Sequence, residues 1–221
     1  MEEKNQVTLL NFMGNDEMVA NTARVSYSKK ANNYTVEQNN KLITYLAKHG
    51  HWSPFSSPQL QFRLQVPIYV ERQLVKTEAG RVYNSVSGRY VDFSDTYYEI
   101  EQFRKQSTDS KQGSAEDFSE PENSRLLDIQ NSVIILCKAA YDAAIELRCS
   151  KEQARSFLPL SLNTTMIWTG SLFTLIRLCN QRLKPEAQKE TQMVVQAMLD
   201  AVLNLEGEPF KHSLSAYGYN K

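Results

Sequence analysis

Gln59-Leu60-Gln61-Phe62-Arg63-Leu64-Gln65-Val66-Pro67 alternates without a break, with Leu60, Phe62, Leu64 and Val66 on one side and Gln59, Gln61, Arg63 and Gln65 on the other. A period of two with one apolar and one wet face is the pattern of a half-buried strand in an antiparallel sheet. Pro67 then stands where a first helical residue would, because its fixed φ suits that position and its missing N–H costs nothing there. A helix is expected from Ile68 to Glu78, carrying Arg72, Gln73 and Lys76 to the start of a glycine-bearing loop. Over Arg72–Tyr90 the chain collects cations, hydroxyls, amides and the glycines Gly80 and Gly88, a composition suited to gripping an anion. Arg89 follows Ser85, Ser87 and Gly88 in a run where hydroxyls and backbone N–H groups can line an oxyanion site, and its planar fork suits phosphate better than a lysine does.

Outward from this centre, Val7–Met13 reads as a short strand, Asn15-Asp16 as the cap of a helix through Val19, Ala23 and Tyr27, and Thr35 as the cap of a helix reaching Gly50. Residues 101–124 are polar and aperiodic, and are expected to form a long surface loop or lid. A long helix is expected from Asn123 to Arg148, a short one from Ser150 that carries Arg155, an extended run from Leu160 to Thr169, and a helix from Ser171 to Leu183. The last long helix is expected to begin at Pro185-Glu186 and to keep Met193, Val194, Ala197, Met198, Ala201 and Val202 on one face. Strands and helices mixed in this way give an α+β fold in a single domain over residues 1–221.

Bulk properties exclude several classes. The 25 basic and 25 acidic residues balance, which argues against a nucleic-acid or membrane-surface binder working by net charge. Three cysteines, Cys137, Cys149 and Cys179, lack CxxC spacing and lie in helix-like segments, so a reducing, cytoplasmic interior is expected. No segment is apolar enough to span a bilayer, and Met1–Gln6 lacks a basic stretch leading into an apolar one, so no leader is expected there. His49, His51 and His212 show no ligand spacing, so no metal site is expected. Conventional hydrolase elbows, P-loops and Rossmann fingerprints are absent. Arg182, three residues after Cys179 and seven after Leu175, lies beside the apolar stripe of its helix; a cation there either snorkels to solvent or needs a partner, a core ion pair or a ligand. Arg155 has similar standing.

Taken in order, the residues resemble the flavin-dependent thymidylate synthases from about Ala20 to Ala201. Ala23-Arg24-Val25-Ser26-Tyr27 is similar to the family's AARVSY segment, His51-Trp52-Ser53-Pro54-Phe55 to H-x-[ST]-P-F, and Asn84 with Ser87-Gly88-Arg89-Tyr90 to N-E-x-S-x-R-Y. Arg155 with Leu158-Pro159 and Thr164 resembles R-x-x-L-P-x(4)-T, and Arg182, Gln188 and Glu190 resemble R-x(5)-Q-x-E. The resemblance implies a central, mostly antiparallel curved sheet flanked by long helices, and a homotetramer whose active sites draw on several subunits. It implies reductive methylation of dUMP at C5, with 5,10-methylenetetrahydrofolate as methylene donor, FAD as hydride carrier and NADPH as reductant. By carry-over, Gln73, Lys76, Ser85, Ser87, Gly88, Arg89, Arg155 and Arg182 would hold dUMP, with Arg182 the catalytic residue at the pyrimidine edge. His51, Ser53, Lys76, Thr77, Glu78, Ser171 and Arg177 would hold FAD.

The chain also departs from the family pattern. Lys76-Thr77-Glu78 stands where the family has Arg-His-Arg, Ser56-Ser57 follows Pro-Phe in place of Glu-His, Ser85 replaces a Glu, and Glu186 aligns with a flavin-side His. An extra residue before Asn84, together with Lys76, Gly80 and the Lys111–Ser114 loop, is similar to phage-type members. Two other readings therefore stand beside the first: a pyrimidine C5-modifying enzyme with altered or lost flavin use, such as a hydroxymethylation of dUMP or dCMP, and a non-catalytic nucleotide-binding homologue.

Overall fold

The computed structural model describes residues 6–27, 34–93, 96–108 and 113–221. Its centre is the alternating strand, β2 (Gln59–Pro67), which lies between β1 (Gln6–Met13) and β6 (Asn163–Ser171); β3 (Arg81–Ser85) completes the order β1-β2-β6-β3, and every pairing is antiparallel. The register sets Phe62 opposite Trp168 and Leu64 opposite Met166, so the apolar faces of two neighbouring strands coincide. Leu60, Phe62, Leu64 and Val66 are each at most 1% exposed. They pack with Val70 and Leu74 of α3 (Ile68–Leu74), Leu175 and Ile176 of α6 (Leu172–Arg182), and Val194, Val195, Met198 and Val202 of α7 (Lys189–Leu203). A bulge between Leu9 and Asn11 shifts the β1 register and leaves Leu10 exposed.

The remaining elements surround this core. Asn15 caps α1 (Asp16–Arg24) by accepting from Met18 N, and Thr35 with Gln38 forms a capping box on α2 (Val36–Lys48). Val19, Ala20, Ile43, Leu46 and Phe55 make a second, smaller apolar cluster. α4 (Glu120–Glu146) has 27 residues and starts on a Ser119–Glu122 capping box. It ends where Arg148 takes a left-handed φ of 63° and Cys149 N returns to Ala144 O. α5 (Lys151–Ala154) follows.

Four expectations are corrected. The third helix stops at Leu74 rather than Glu78, and Pro67 is its cap rather than its first residue. The next strand supplies another use for the carbonyls beyond Leu74, because the Arg81 guanidinium takes those of Val75 and Thr77. The polar segment is not loop throughout: β4 (Arg104–Gln106) and β5 (Ser114–Asp117) form a hairpin, and Asn123 ties it to α4 by accepting from Phe103 N and donating to Glu101 O. Of the Lys111–Ser114 loop, Lys111 and Gln112 lie outside the described residues. The last long helix begins at Lys189, four residues after Pro185, since Gln192 Nε2 donates to the carbonyls of Lys184, Pro185 and Ala187 and folds that stretch into a turn. Finally, α8 (Lys211–Ala216) was not expected from sequence; the Asp16 carboxylate accepts from His212 N and Ser213 N and caps it from the other end of the chain.

Candidate functional site

Arg182 ends α6, one turn past the buried Cys179, and reaches across to α3. Its Nη1 donates to Gln73 Oε1 at 3.1 Å and its Nη2 to Gln73 O at 2.9 Å, while its buried Nε has no partner among the described residues. Gln73 Nε2 donates to Gln188 Oε1 at 3.4 Å, and Gln188 Nε2 to Glu190 Oε2 at 3.1 Å. Glu190, 4% exposed, pairs with Arg104 of the hairpin at 2.7 Å. Burial drives its carboxyl upward, but the Arg104 hydrogen bond and charge, a backbone hydrogen bond and Gln188 together bring it below the usual carboxylate range. Beside this group, burial and the Glu190 charge push the Tyr69 phenol far above its ordinary value, and its enclosed hydroxyl has no partner among the described residues. Gln73, Arg104, Ser114, Arg182, Lys184 and Gln188 are among the residues lining a cavity of about 610 Å³. The sequence pointed to Gln73 and Arg182; it gave no sign of Arg104, whose partner lies 86 positions away.

A second cavity, of about 630 Å³ and predominantly apolar, is lined by Trp52, Ser171, Phe173, Thr174 and Arg177 together with Gly80. Trp52, 55% exposed, stacks on Phe173 with ring centroids 5.7 Å apart. Ser171 caps α6, its Oγ accepting from Thr174 N at 3.1 Å, and Thr174 Oγ1 holds Ala79 O and Gly80 O. Gly80 is held at φ +80°, and a Cβ there would meet Thr174 Oγ1 at 2.6 Å, so the turn closing this cavity requires glycine. Ser53 opens a short helical turn beside it, and the exposed His51 ring stacks toward Tyr45.

Between the two cavities runs Lys76-Thr77-Glu78. Thr77 is 4% exposed and turned inward, its Oγ1 donating to Gln181 Oε1 at 3.0 Å, whereas Lys76 and Glu78 face a surface hollow with Arg81 and Tyr83. Arg81 is the residue on which this loop depends. Arg81→Ala is expected to destabilise the fold by about 1–3 kcal/mol, the cost of half-buried carbonyls left without donors. An unchanged midpoint in a urea unfolding curve would contradict that role.

Farther along, Ser85 ends β3 and bonds the Glu71 side chain, whose carboxyl burial pushes above its usual range. Ser87 Oγ accepts from Arg89 N at 3.4 Å, and the exposed Arg89 guanidinium otherwise lies over Tyr90. Gly88 is buried under Phe93, whose ring would lie 1.9 Å from any Cβ. Arg155, also exposed, donates only to the nearby Glu152 carbonyl among the bonds described. Thus the candidate residues fall into three groups: Gln73 and Arg182 line the first cavity, Ser171 and Arg177 the second, and the rest, Ser87, Arg89 and Arg155 among them, line neither.

The likeness to known proteins spans all three groups. The profile of a family described as thymidylate synthase complementing protein matches residues 8–205. The flavin-dependent thymidylate synthase of Thermus thermophilus is 36% identical over 200 residues, 90% of this chain and 72% of that one. That of Kosmotoga olearia is 35% identical over 196 residues, 89% and 84% of the two chains. Among solved structures, the UMP/dUMP methylase PolB from Streptomyces cacaoi bound with 5-Br dUMP has a TM-score of 0.86 at 22% identity, covering 97% of this chain and 94% of that one; at that identity it bears on the fold alone. A sheet and helices shared over nearly the full length, and a sequence match that carries through both cavities and the Ser87–Arg89 turn, have one source: the chain belongs to the family of flavin-dependent thymidylate synthases.

Proposed function

We propose that this protein, as one catalytic domain, is itself a flavin-dependent thymidylate synthase, converting dUMP to dTMP with 5,10-methylenetetrahydrofolate as methylene donor and NADPH as reductant. The observation that carries the reading is Arg182: a guanidinium held from two sides by Gln73, with an Nε unpartnered among the described residues, at the wall of a cavity of about 610 Å³. A cation fixed there lowers the cost of negative charge at N3 and O4 of a uracil ring, and so makes C5 more nucleophilic. Fixing it beforehand means little reorganisation when charge develops.

The second cavity suits a flavin. Its apolar lining, the exposed Trp52 face on Phe173 and the Arg177 cation match an aromatic ring system with an anionic tail. Trp52, Ser171 and Arg177 would hold FAD there, with His51, Ser53 and Lys76 nearby in the sequence motifs; when bound, the flavin supplies the hydride. Ser85, Ser87, Gly88, Arg89 and Arg155 would take the phosphate, an arginine-rich anion site open to solvent in one copy.

Assembly follows from the same division. The long α4 leaves Ile129, Val133 and Leu136, spaced i, i+4, i+7 along one face, at 52%, 46% and 70% exposure, with Ile135 at 69% next to Leu136, an apolar surface that a free monomer would not keep in water. A homotetramer that covers it also allows the Arg89 group of one copy to serve the Arg182 cavity of another. Ile135→Lys combined with Leu136→Lys is expected to lower the mass measured by light scattering to that of a smaller species and to reduce turnover; an unchanged mass would remove α4 from the interface.

The inward-facing Thr77 favours one alternative, a C5-modifying enzyme with altered flavin use, because the family's histidine position offers no side chain to a cofactor. The experiment is the absorption spectrum of the purified protein, followed by product mass with dUMP. Bound flavin and addition of CH2 support thymidylate synthesis. Addition of CH2O, with dUMP or dCMP, supports the alternative, and binding of dUMP without turnover would make the chain a non-catalytic homologue.

A further inference from the structure

The side chains behind Arg182 form a line with a fixed direction. Arg104 Nη2 donates to Glu190 Oε1 at 2.7 Å; Glu190 Oε2 accepts from Gln188 Nε2 at 3.1 Å; Gln188 Oε1 accepts from Gln73 Nε2 at 3.4 Å; Gln73 Oε1 accepts from Arg182 Nη1 at 3.1 Å. Each carboxamide has a donor end and an acceptor end, a carboxylate only accepts, and a guanidinium only donates. With a carboxylate at one end and a guanidinium at the other, both amides have a single acceptable orientation. Turning Gln188 would bring its carbonyl oxygen against the Glu190 carboxylate. Turning Gln73 would bring its NH2 against Arg182. The direction therefore follows from chemistry and not from which amide atom is drawn as oxygen.

We infer that Glu190 is a positioning residue for Arg182: through Gln188 it orients the Gln73 carboxamide so that its oxygen clamps the guanidinium, and Arg104, from the β4–β5 hairpin, clamps Glu190. The inference rests on the proposed function and extends it to three residues, Glu190, Gln188 and Arg104, that act on Arg182 through Gln73. It also gives the hairpin a task, since Arg104 Nε is held by Ser114 Oγ at 2.9 Å across the two strands, so hairpin pairing and Arg182 orientation are one structure. Buried polar chains of this kind depend on every member being satisfied.

Two isosteric or near-isosteric variants separate orientation from stability. Glu190→Gln keeps the shape, but Arg104 can only donate and so takes the amide oxygen, turning the NH2 toward Gln188; the direction imposed from this end is reversed and conflicts with the one Arg182 imposes on Gln73. Gln188→Leu interrupts the chain and leaves the Arg104–Glu190 pair in place. Each is expected to lower kcat for dUMP about tenfold while KM moves by less than about threefold, and the double variant should be no slower than the slower single one, because residues acting in series are non-additive. Additive losses would overturn the inference. A second measurement needs no turnover: the side-chain NH2 signals of Gln73 in a 15N spectrum of the full protein, assigned by their loss in Gln73→Met, should shift in both Gln188→Leu and Glu190→Gln. Signals that stay in place in Glu190→Gln overturn the relay. If the wild-type protein forms no dTMP while these signals move, the proposed function fails and the relay stands.

Discussion

Arg182→Met is expected to cut dTMP formation by about 10²–10³-fold, the size of effect seen when a donor aimed at developing negative charge is removed. Methionine keeps much of the volume and the apolar stem, so the packing of α6 into the core through Leu175 and Cys179 is retained. What is lost is two hydrogen bonds to Gln73 and the cation at the cavity wall. The stability cost should be small beside the catalytic one, about 1 kcal/mol for the Gln73 carbonyl left half-buried. Steady-state kinetics with dUMP, set beside a thermal unfolding curve and the flavin content of the same preparation, decide it. Activity within a few-fold of wild type, in protein that still binds flavin, would mean that Arg182 is a structural cation and that the reading of the first cavity is wrong. Arg182→Lys is expected to fall between the two, because a single ammonium cannot satisfy both Gln73 oxygens with the geometry of a guanidinium.

What could be read from the sequence and what could not divide along a physical line. The strict alternation of Gln59–Val66 declared a strand because every residue took part in one burial pattern, and the structure buries its four apolar members to 1% or less. Arg182 was visible for the same reason in reverse: a cation beside an apolar stripe violates its helix's pattern, and such a violation must be satisfied somewhere. Arg104 broke no pattern. It lies in a three-residue strand, too short for periodicity, within a polar segment where one more arginine is unremarkable in composition. Its meaning depends on Glu190, and nothing local connects positions 86 residues apart.

Helix ends show the same division. Asn15 and Thr35 were legible caps, since each bonds a backbone N–H three residues on; Ser171, expected only to open its helix, does the same. The end of α3 and the start of α8 were not, because Arg81 and Asp16 act on them from the next strand and from the opposite terminus. Glu78 was placed on a helix by propensity, and a guanidinium that takes the carbonyls of Val75 and Thr77 overrode it. The candidate site thus divides as well. Side chains identified by motif could be named, while the bonds that make them a site run between α3, α6, α7 and the hairpin.

Trp168→Ala is expected to cost about 3–5 kcal/mol, the range for removing a large aromatic side chain from a packed core. The indole is 1% exposed and meets Phe62 edge to face at 5.8 Å, and it reaches along its own strand over Gly170. Against a typical stability of about 5–15 kcal/mol this is a large fraction, and urea unfolding at one fixed protomer concentration should register it as a lower midpoint at unchanged slope. A loss below about 1 kcal/mol would mean that the core collapses into the vacancy. Gly170 provides the internal check. A Cβ at that position would lie 2.7 Å from the indole Cη2, so Gly170→Ala alone should destabilise by displacing the ring, about 1–3 kcal/mol. In the Trp168→Ala background the same methyl enters space that the indole has left, and its cost should largely vanish. That non-additivity would assign the glycine to the tryptophan rather than to any backbone requirement. It would also show how β6 keeps unbroken register with β2 from the core to Ser171, the residue that caps α6 and lines the second cavity.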